Sequence, residues 1–248
     1  MLASDRLDAI VAMVQASGSA TVNELSERLG VTASTIRRDL QTLDREHRVS
    51  KVHGGATSLE RAHVTRDLTL GERSELHTDD KDRICAYARR LIEPGSFVYI
   101  DSGSTTLRLI AHLPSREGVT YVTDSVGHAQ RMMARGLKTF VLGGELKPET
   151  EALVGPDAIA TLARYNFSMG FWGANGITVA QGFTSPDIEE SQVKRVSMQQ
   201  SARRYVLADA SKFGMVAPVT FSTFDQATVI TAGDVPEDYA KLENIITV

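Results

Sequence analysis

TASTIRRDLQTLDRE, residues 32–46, has the pattern of an amphipathic helix that carries two adjacent arginines. Its apolar residues Ile36, Leu40 and Leu43 are spaced i, i+4 and i+7, which places them on one face. Thr32 is a suitable N-cap residue. The opposite face is polar and consists of Ser34, Arg38, Gln41 and Arg45, with Thr35 and Arg37 beside it. The stretch therefore predicts a helix with one buried face and one basic, exposed face.

The residues around this stretch predict a winged helix-turn-helix. Thr21 and Glu24 have the spacing of a capping box, in which each side chain bonds the other residue's backbone amide. Gly30 suits the left-handed end of a second helix, and residues 4–17 have the apolar spacing of a first one. The alternating residues 48–53 predict a β-strand before a glycine turn, as a wing requires. Two short helices joined at a glycine corner make a helix-turn-helix.

Two interpretations of the basic face are open. It lies against DNA if the helix enters the major groove, where an arginine fork matches guanine edges and phosphate oxygens. It is an ordinary solvated face if its arginines pair with Asp39 and Glu46. The order of capping box, glycine corner, basic helix and basic strand favours DNA. The candidate contacts are Thr21, Ser34, Thr35, Arg37, Arg38, Gln41, Arg48, Lys51 and His53, the last being otherwise a turn histidine with a local hydrogen bond.

Length and composition predict a soluble protein of two unequal domains. The chain has 248 residues, 42% hydrophobic and 23% charged, with a net charge of -4, so any nucleic-acid surface must be local. The single cysteine, Cys85, the absence of a signal-like N-terminus and the lack of a long apolar run favour the cytoplasm. We predict a DNA-binding domain over 1–57, a polar linker over 58–80 and a larger domain over 81–248.

The larger domain has the alternating pattern of an α/β protein. Such alternation predicts a mostly parallel sheet covered by helices. Strands are predicted at 96–100, 120–123, 139–142, 205–208 and 228–231. Helices are predicted at 81–92, 105–113, 125–135, 156–164 and 188–202.

The turn that follows the first of these strands has the composition of a phosphate-binding loop. Residues 101–106, Asp-Ser-Gly-Ser-Thr-Thr, lead into a helix whose N-terminus attracts anions, and Gly103 lets a ligand approach the backbone. In the alternative, Ser104 or Thr105 simply caps the helix. Lys212 follows a strand and reaches either a ligand or solvent. Glu190 and Lys194 are expected to form an ordinary i, i+4 surface pair.

Several separated motifs, in one order, closely resemble the signature of the DeoR family of bacterial transcriptional repressors. They are Thr-Ile-Arg-Arg-Asp-Leu (35–40), Lys-Val-His-Gly-Gly-Ala (51–56), the loop 101–106, Leu-Gly-Gly-Glu (142–145), Gly-Phe-Thr-Ser-Pro-Asp (182–187) and Asp-Ala-Ser-Lys-Phe-Gly (209–214). The resemblance implies an N-terminal winged helix-turn-helix and a C-terminal sensor with a fold like ribose-5-phosphate isomerase. The branch that it resembles controls fructose, tagatose or lactose use. One departure is Asp124, which stands where the family usually has asparagine.

The resemblance implies a regulator that represses a sugar-catabolic operon. A phosphorylated sugar in the C-terminal domain would release a homo-oligomer, a dimer or tetramer, from its double-stranded DNA operator. The implied effector contacts are Asp101, Ser102, Gly103, Ser104, Thr105, Thr106, Asp124 and Lys212. The residue pattern suggests no metal site, no cofactor and no membrane partner. An isomerase-like enzyme is the alternative, with Asp101, Glu145 or Glu190 as base, although neutral Asn175 stands where such isomerases have acidic residues.

Overall fold

Two separately packed units make up the chain, residues 1–65 and 66–248. A computed structural model describes residues 3–17, 19–46, 48–52, 54–57, 69–115 and 118–248. Among these described residues, no helix is both long and apolar enough to cross a membrane.

The first unit is a helix-turn-helix with a small antiparallel sheet. Its elements are α1 (Ala3–Ser17), β1 (Ser19–Thr21), α2 (Val22–Leu29), α3 (Ala33–Arg45), β2 (Ser50–Val52) and β3 (Gly55–Thr57). The strands lie in the order β1-β3-β2, so β2 and β3 form the predicted wing hairpin. Its core consists mainly of Ile10, Val14, Val22, Leu25, Ile36, Leu40 and Leu43. The predicted winged helix-turn-helix is therefore confirmed.

Local hydrogen bonds fix the corner between α2 and α3. The Thr21 amide donates to the Glu24 carboxylate at 2.8 Å, and the Glu24 amide donates to the Thr21 hydroxyl at 3.2 Å, which completes the capping box. Gly30 ends α2 with φ of 64°, in the left-handed region where glycine is favoured. Thr32 caps α3 by accepting from the Thr35 amide. These bonds determine how α3 is presented.

The second unit is built on a parallel sheet. The strands are β4 (Phe97–Ile100), β5 (Thr120–Thr123), β6 (Thr139–Val141), β7 (Glu145–Leu146), β8 (Leu153–Val154), β9 (Phe167–Trp172), β10 (Gly176–Thr178), β11 (Gly182–Ser185), β12 (Ser201–Leu207), β13 (Val219–Ser222), β14 (Thr228–Thr231) and β15 (Ile245–Thr247). Seven of them form a sheet in the order β15-β14-β12-β9-β4-β5-β6, and every neighbouring pair is parallel. The antiparallel sheet β10-β11-β13 and the hairpin β7-β8 complete the strands.

Helices cover both faces of the large sheet. They are α4 (Leu70–Ser74), α5 (Thr78–Ala88), α6 (Ser104–His112), α7 (Val126–Ala134), α8 (Pro156–Leu162), α9 (Ile188–Gln199) and α10 (Glu237–Ala240), with short 3-10 turns at Arg89–Leu91, Ala210–Lys212 and Phe224–Gln226. In β4, Val98 and Ile100 face a core that α5, α6 and α7 share, whereas Tyr99 faces a core with α8 and α9. The predicted α/β class with a helix-covered parallel sheet is confirmed.

Part of the linker predicted over 58–80 is helical. Residues 58–68 lie outside the described residues, but α4 and the start of α5 occupy much of 69–80. A second capping box starts α4, because the Thr69 amide donates to the Glu72 carboxylate at 2.8 Å and the Glu72 amide donates back to the Thr69 hydroxyl. Leu70 is buried, and its amide bonds the Glu149 carbonyl. The spacing of Thr69 and Glu72 is a capping-box pattern that the sequence shows. The residues against which Leu70 is buried cannot be identified from the sequence.

The central strand β9 was not among the predicted strands. Its sequence contains Gly170, which weakens a strand pattern. The glycine is needed because a Cβ at this position would lie 2.2 Å from the ring of Trp172. Trp172 itself is fully buried.

We expect Gly55 to tolerate no side chain. A Cβ at this position would lie 2.2 Å from the Ala20 backbone oxygen. Gly55→Ala therefore pushes β3 away from β1, and we expect a loss of about 1–3 kcal/mol in the stability of the first unit. Hydrogen exchange at the amides of these strands measures that loss, with Gly143→Ala as a control because its added Cβ meets nothing within 4 Å. Unchanged protection in Gly55→Ala would contradict the expectation.

Candidate functional sites

The outer face of α3 carries unpaired arginines. Arg37, Arg38 and the neighbouring polar residues Ser34 and Gln41 are exposed. Asp39, which was a possible partner for the arginines, is buried and accepts from Arg6 instead, at 2.5 and 3.1 Å. Within the part of the chain that the structure describes, neither Arg37 nor Arg38 has an ion-pair partner. The face is therefore cationic and exposed. In the alternative interpretation the arginines pair with Asp39 and Glu46, but the Asp39 carboxylate is already bonded to Arg6.

Hydroxyl groups surround the N-terminus of α3. The Thr32 hydroxyl lies 2.9 Å from that of Ser34 and 3.0 Å from that of Thr35. Ser34 is exposed and Thr35 is half-buried. Hydroxyls and a helix N-terminus together suit an anion such as a DNA phosphate.

The other predicted DNA contacts have different surroundings. Thr21 is exposed, but its hydroxyl takes part in the capping box. Arg48 is bound within the unit, since its guanidinium lies 2.6 Å from Asp8 and 3.9 Å from Glu46. Lys51 has an exposed side chain at the start of the wing. His53 lies outside the described residues.

The loop 101–106 joins β4 to α6, and its outermost residues are Gly103 and Ser104. These two are half-buried, whereas the other four residues are buried. Gly103 occupies the N-cap position of α6, and among the described residues no side chain caps that helix. The Thr106 hydroxyl lies 2.5 Å from the Asp101 carbonyl oxygen and 2.8 Å from that of Gly103, so it holds the turn together. The simple-cap alternative is therefore wrong, and the first amides of α6 have no side-chain acceptor.

A buried ion pair supports the loop from below. The Lys194 ammonium donates to both carboxylate oxygens of Asp101, at 2.6 and 2.5 Å, and the Gly173 amide donates to one of them at 3.0 Å. The expected surface pair of Glu190 with Lys194 is wrong, because both side chains are buried. Glu190 accepts instead from the Thr150 hydroxyl at 2.5 Å.

A second buried acid bonds the loop from the side. Asp124 accepts from the Ser102 hydroxyl at 3.0 Å. Burial raises the pKa of Asp124 to about 8, and the charge of Asp101 adds to this effect. Four residues on, burial lowers the pKa of His128 to about 4, so the ring is neutral. Its Nε2 lies 3.2 Å from the Gly103 carbonyl oxygen, which assigns the ring hydrogen to Nε2.

Two lysines and one carboxylate interact electrostatically at α5, the helix that packs against α6. Lys81 is buried on α5, where its ammonium donates to the Arg73 carbonyl oxygen. Burial lowers the pKa of Lys81, the charge of Asp209 opposes that shift, and the charge of Lys212 adds to it, so these three groups are close. Cys85 lies one turn from Lys81, and its thiol donates to the Thr105 carbonyl at 3.3 Å. This face of α5 therefore packs against the start of α6.

Lys81 is a site residue that the sequence analysis missed. It precedes the buried residues Ile84, Cys85 and Ala88 by three, four and seven positions, so it falls on the apolar face of α5. A lysine on such a face requires an explanation, because lysine is almost never fully buried without a partner. That spacing could have predicted the burial of Lys81 from the sequence. The sequence around Lys194 has no comparable pattern.

Two family models match this chain. Residues 6–62 match the DeoR-like helix-turn-helix domain, and residues 76–233 match the DeoR C terminal sensor domain. The HTH-type transcriptional regulator FruR of Bacillus subtilis is 33% identical over 231 residues, which span 93% of this chain and 91% of FruR. The chain belongs to the DeoR family of transcriptional regulators.

Two further proteins are similar to this DeoR-family chain. The lactose phosphotransferase system repressor of Staphylococcus epidermidis is 30% identical over 251 residues and spans 98% of both chains. The ribose 5-phosphate isomerase A structure from Methanocaldococcus jannaschii superposes with a TM-score of 0.42 at 17% identity, over 55% of this chain and 54% of that one.

Membership of the DeoR family settles the choice between regulator and enzyme. The related proteins are regulators of transcription, so this chain is a DNA-binding regulator, as predicted, and not an isomerase. The surroundings of the three carboxylates considered as isomerase bases are consistent with this result. Asp101 is sealed in its ion pair, Glu190 is buried against Thr150, and Glu145 is exposed on β7.

We expect Asp124 to make the DeoR-family protein less stable as the pH rises. Its pKa is about 8 in the folded chain and 3.8 in the reference state, so between these values the folded chain holds the extra proton. Stability is then fully present near pH 4 and falls by about 1.4 kcal/mol per pH unit toward pH 8. Asp124→Asn removes this contribution, so its free energy of unfolding should decline less between pH 5 and 8.

Urea unfolding at several pH values checks this expectation. Glu243→Gln is the matched control, because it neutralises an exposed carboxyl group near the C-terminus. Parallel stability profiles for Asp124→Asn and the unmodified chain would contradict the assignment of the buried proton.

Proposed function

We propose that this protein is a cytoplasmic repressor of a sugar-catabolic operon and that a phosphorylated sugar releases it from DNA. Similarity to the lactose phosphotransferase system repressor over nearly the whole chain supports the sugar-operon role. The two halves of the proposal rest on different surfaces, the outer face of α3 and the loop 101–106.

The DNA half places the N-terminal part of α3 in the major groove. Arg37 and Arg38 are exposed and unclaimed by any described carboxylate, so their guanidinium groups are available for phosphates or guanine edges. Ser34, Thr35 and Gln41 extend the same face, and Lys51 supplies a cation from the wing. Two copies of the chain would present two such helices to half-sites about one DNA turn apart.

The effector half rests on the start of α6, where Gly103 as N-cap offers no side-chain cap, and on the buried cation Lys81 of α5, the helix that packs against this start. The amides at the N-terminus of α6 point to the side on which Gly103 and Ser104 reach the surface. The charge of Asp209 opposes the lowering of the Lys81 pKa, whereas the charges of Lys212, Arg108 and Arg73 add to it, so cations predominate among the groups that act on Lys81. Burial acts to raise the pKa of Asp209, yet Lys212 holds it below its ordinary value. A phosphoryl dianion supplies both the acceptors and the charge that this region lacks.

Release then follows from linkage. A sugar phosphate shifts the repressor toward its DNA-free form only in so far as it binds that form more tightly. The tightly bonded loop 101–106 gives the ligand a prearranged anchor, and the sugar end determines which neighbouring groups must move.

We expect Arg38→Ala to weaken operator binding about tenfold or more. The loss of one phosphate or bidentate base contact is worth roughly 1–3 kcal/mol, and a lost phosphate contact also reduces the slope of log affinity against log salt by about one. Fluorescence anisotropy with an operator fragment at several salt concentrations measures both quantities. Arg90→Ala removes an exposed arginine from the second unit and serves as the control. If Arg38→Ala changes neither affinity nor slope, the groove assignment is wrong.

We expect one or more phosphorylated hexoses or pentoses to raise the melting temperature of the protein. At a ligand concentration of about 100 times Kd, mass action adds about 2.7 kcal/mol of stability. Ser104→Asp should abolish the response because a carboxylate then stands at the anion site. Ser104→Asn has nearly the same volume without the charge and should retain a response. The phosphate assignment fails if both variants respond like the unmodified chain, and the effector class fails if no sugar phosphate shifts the transition.

A further inference from the structure

The outer edge of the large sheet is apolar. β6 is the last strand of this sheet and, among the described strands, pairs only with β5. Phe140 and Val141 are adjacent in β6, and 48% and 47% of their surfaces are exposed. Met133, on the helix α7 that packs against β6, is 69% exposed. Large apolar side chains that cluster on a strand edge indicate an interaction surface.

The backbone of β6 also has unused hydrogen-bonding groups. The ladder to β5 uses the Lys138 carbonyl, which accepts from Tyr121, and the Leu142 amide, which donates to Thr123. Because these groups alternate along a strand, those of Phe140 also face β5, whereas the amides and carbonyls of Thr139 and Val141 face outward. No other described strand lies beside them.

We propose that β6 pairs with β6 of a second copy of this chain, antiparallel, across a two-fold axis at Phe140. Thr139 then exchanges two hydrogen bonds with the partner's Val141, and Phe140 lies opposite the partner's Phe140. The two parallel sheets become one continuous sheet through a single antiparallel junction. A two-fold axis makes the contact self-complementary, so the same short strand serves both subunits.

The charges that flank β6 favour a second copy as the partner. Arg135 and Lys138, just before the strand, are exposed, and so are Glu145 and Glu149 after it. Antiparallel pairing brings the basic end of one strand toward the acidic end of the other, twice. Edge strands that avoid association usually carry charged residues within the strand itself. The strand β6 carries charges only on its flanks, so they do not prevent pairing with another strand. A DNA-binding helix-turn-helix protein with palindromic half-sites also requires two copies, independently of any effector.

Cysteine cross-linking tests the register. The chain has one cysteine, Cys85, which is fully buried. Residues that face each other without hydrogen bonds lie about 4.5 Å apart at Cα, within the range of a disulfide. In the full chain, Phe140→Cys should form a covalent dimer under mild oxidation, and Val141→Cys should do so far more slowly because it faces Thr139. Val179→Cys, at a site that is 60% exposed elsewhere, should remain monomeric on a non-reducing gel.

Sedimentation equilibrium tests the surface without a new covalent bond. Val141→Asp should halve the mass of the wild-type assembly at micromolar concentration, whereas the matched variant Val179→Asp should keep it. Lys138→Glu and Glu145→Lys should each weaken association about tenfold, and the double variant should recover most of that loss. Recovery excludes misfolding as the cause of the single-variant effects.

Three results would overturn the proposal. One is a wild-type chain that stays monomeric at all concentrations, because the surface would then serve a different protein. Another is equal cross-linking of Phe140→Cys and Val179→Cys. The third is an unchanged mass for Val141→Asp. None of these outcomes depends on the sugar-phosphate proposal, since no sugar phosphate is present in either assay.

Discussion

The ion pair between Asp101 and Lys194 is the interaction on which the loop 101–106 depends. It joins the end of β4 to α9, and the Gly173 amide adds the end of β9. Both side chains are buried, so separation of the pair would leave an uncompensated charge in the interior, at a cost of several kcal/mol. The loop is therefore fixed before any ligand arrives. A ligand that binds a fixed loop loses little affinity to ordering the protein.

The buried ionisable groups below the loop 101–106 are mostly neutral or paired at neutral pH. Asp101 and Lys194 neutralise each other, and Asp124 is largely protonated at neutral pH because its pKa is about 8. His128 is neutral as well, since burial lowers its pKa to about 4. These four residues together thus carry little net charge below the loop. A protonated Asp124 also resembles the asparagine that the family usually has, because both are neutral groups that donate as well as accept hydrogen bonds.

Signals within a few residues of one another made much of this fold predictable. The capping box at Thr21, the left-handed Gly30 and the apolar spacing of α3 determined the helix-turn-helix, and the strand-to-helix turn at 101–106 was recognisable from its composition. The misses involve distant partners. Lys194 and Asp101 are 93 positions apart, so the sequence suggested the nearby Glu190 instead. The ion pair of Arg48 with Asp8, 40 positions away, was likewise not predicted. Local patterns cannot identify such partners, because tertiary packing chooses them.

The helix α7 gives the two proposals a physical connection. Its His128 forms a hydrogen bond with the Gly103 carbonyl oxygen in the loop 101–106, and the same helix packs against β6. A ligand that displaces the Gly103 carbonyl must break that bond or move α7 with it. Because α7 is short and packs through the buried Met132, a movement of α7 as a rigid body would also shift its other end, where Met133 lies exposed at the strand edge. A change in the pairing of two β6 strands would then alter the separation of two DNA-binding units without any direct contact between effector and DNA. This route requires that α7 has two stable positions. Cross-linking of Phe140→Cys in the presence and absence of a sugar phosphate would distinguish a transmitted movement from a ligand that acts only within its own site.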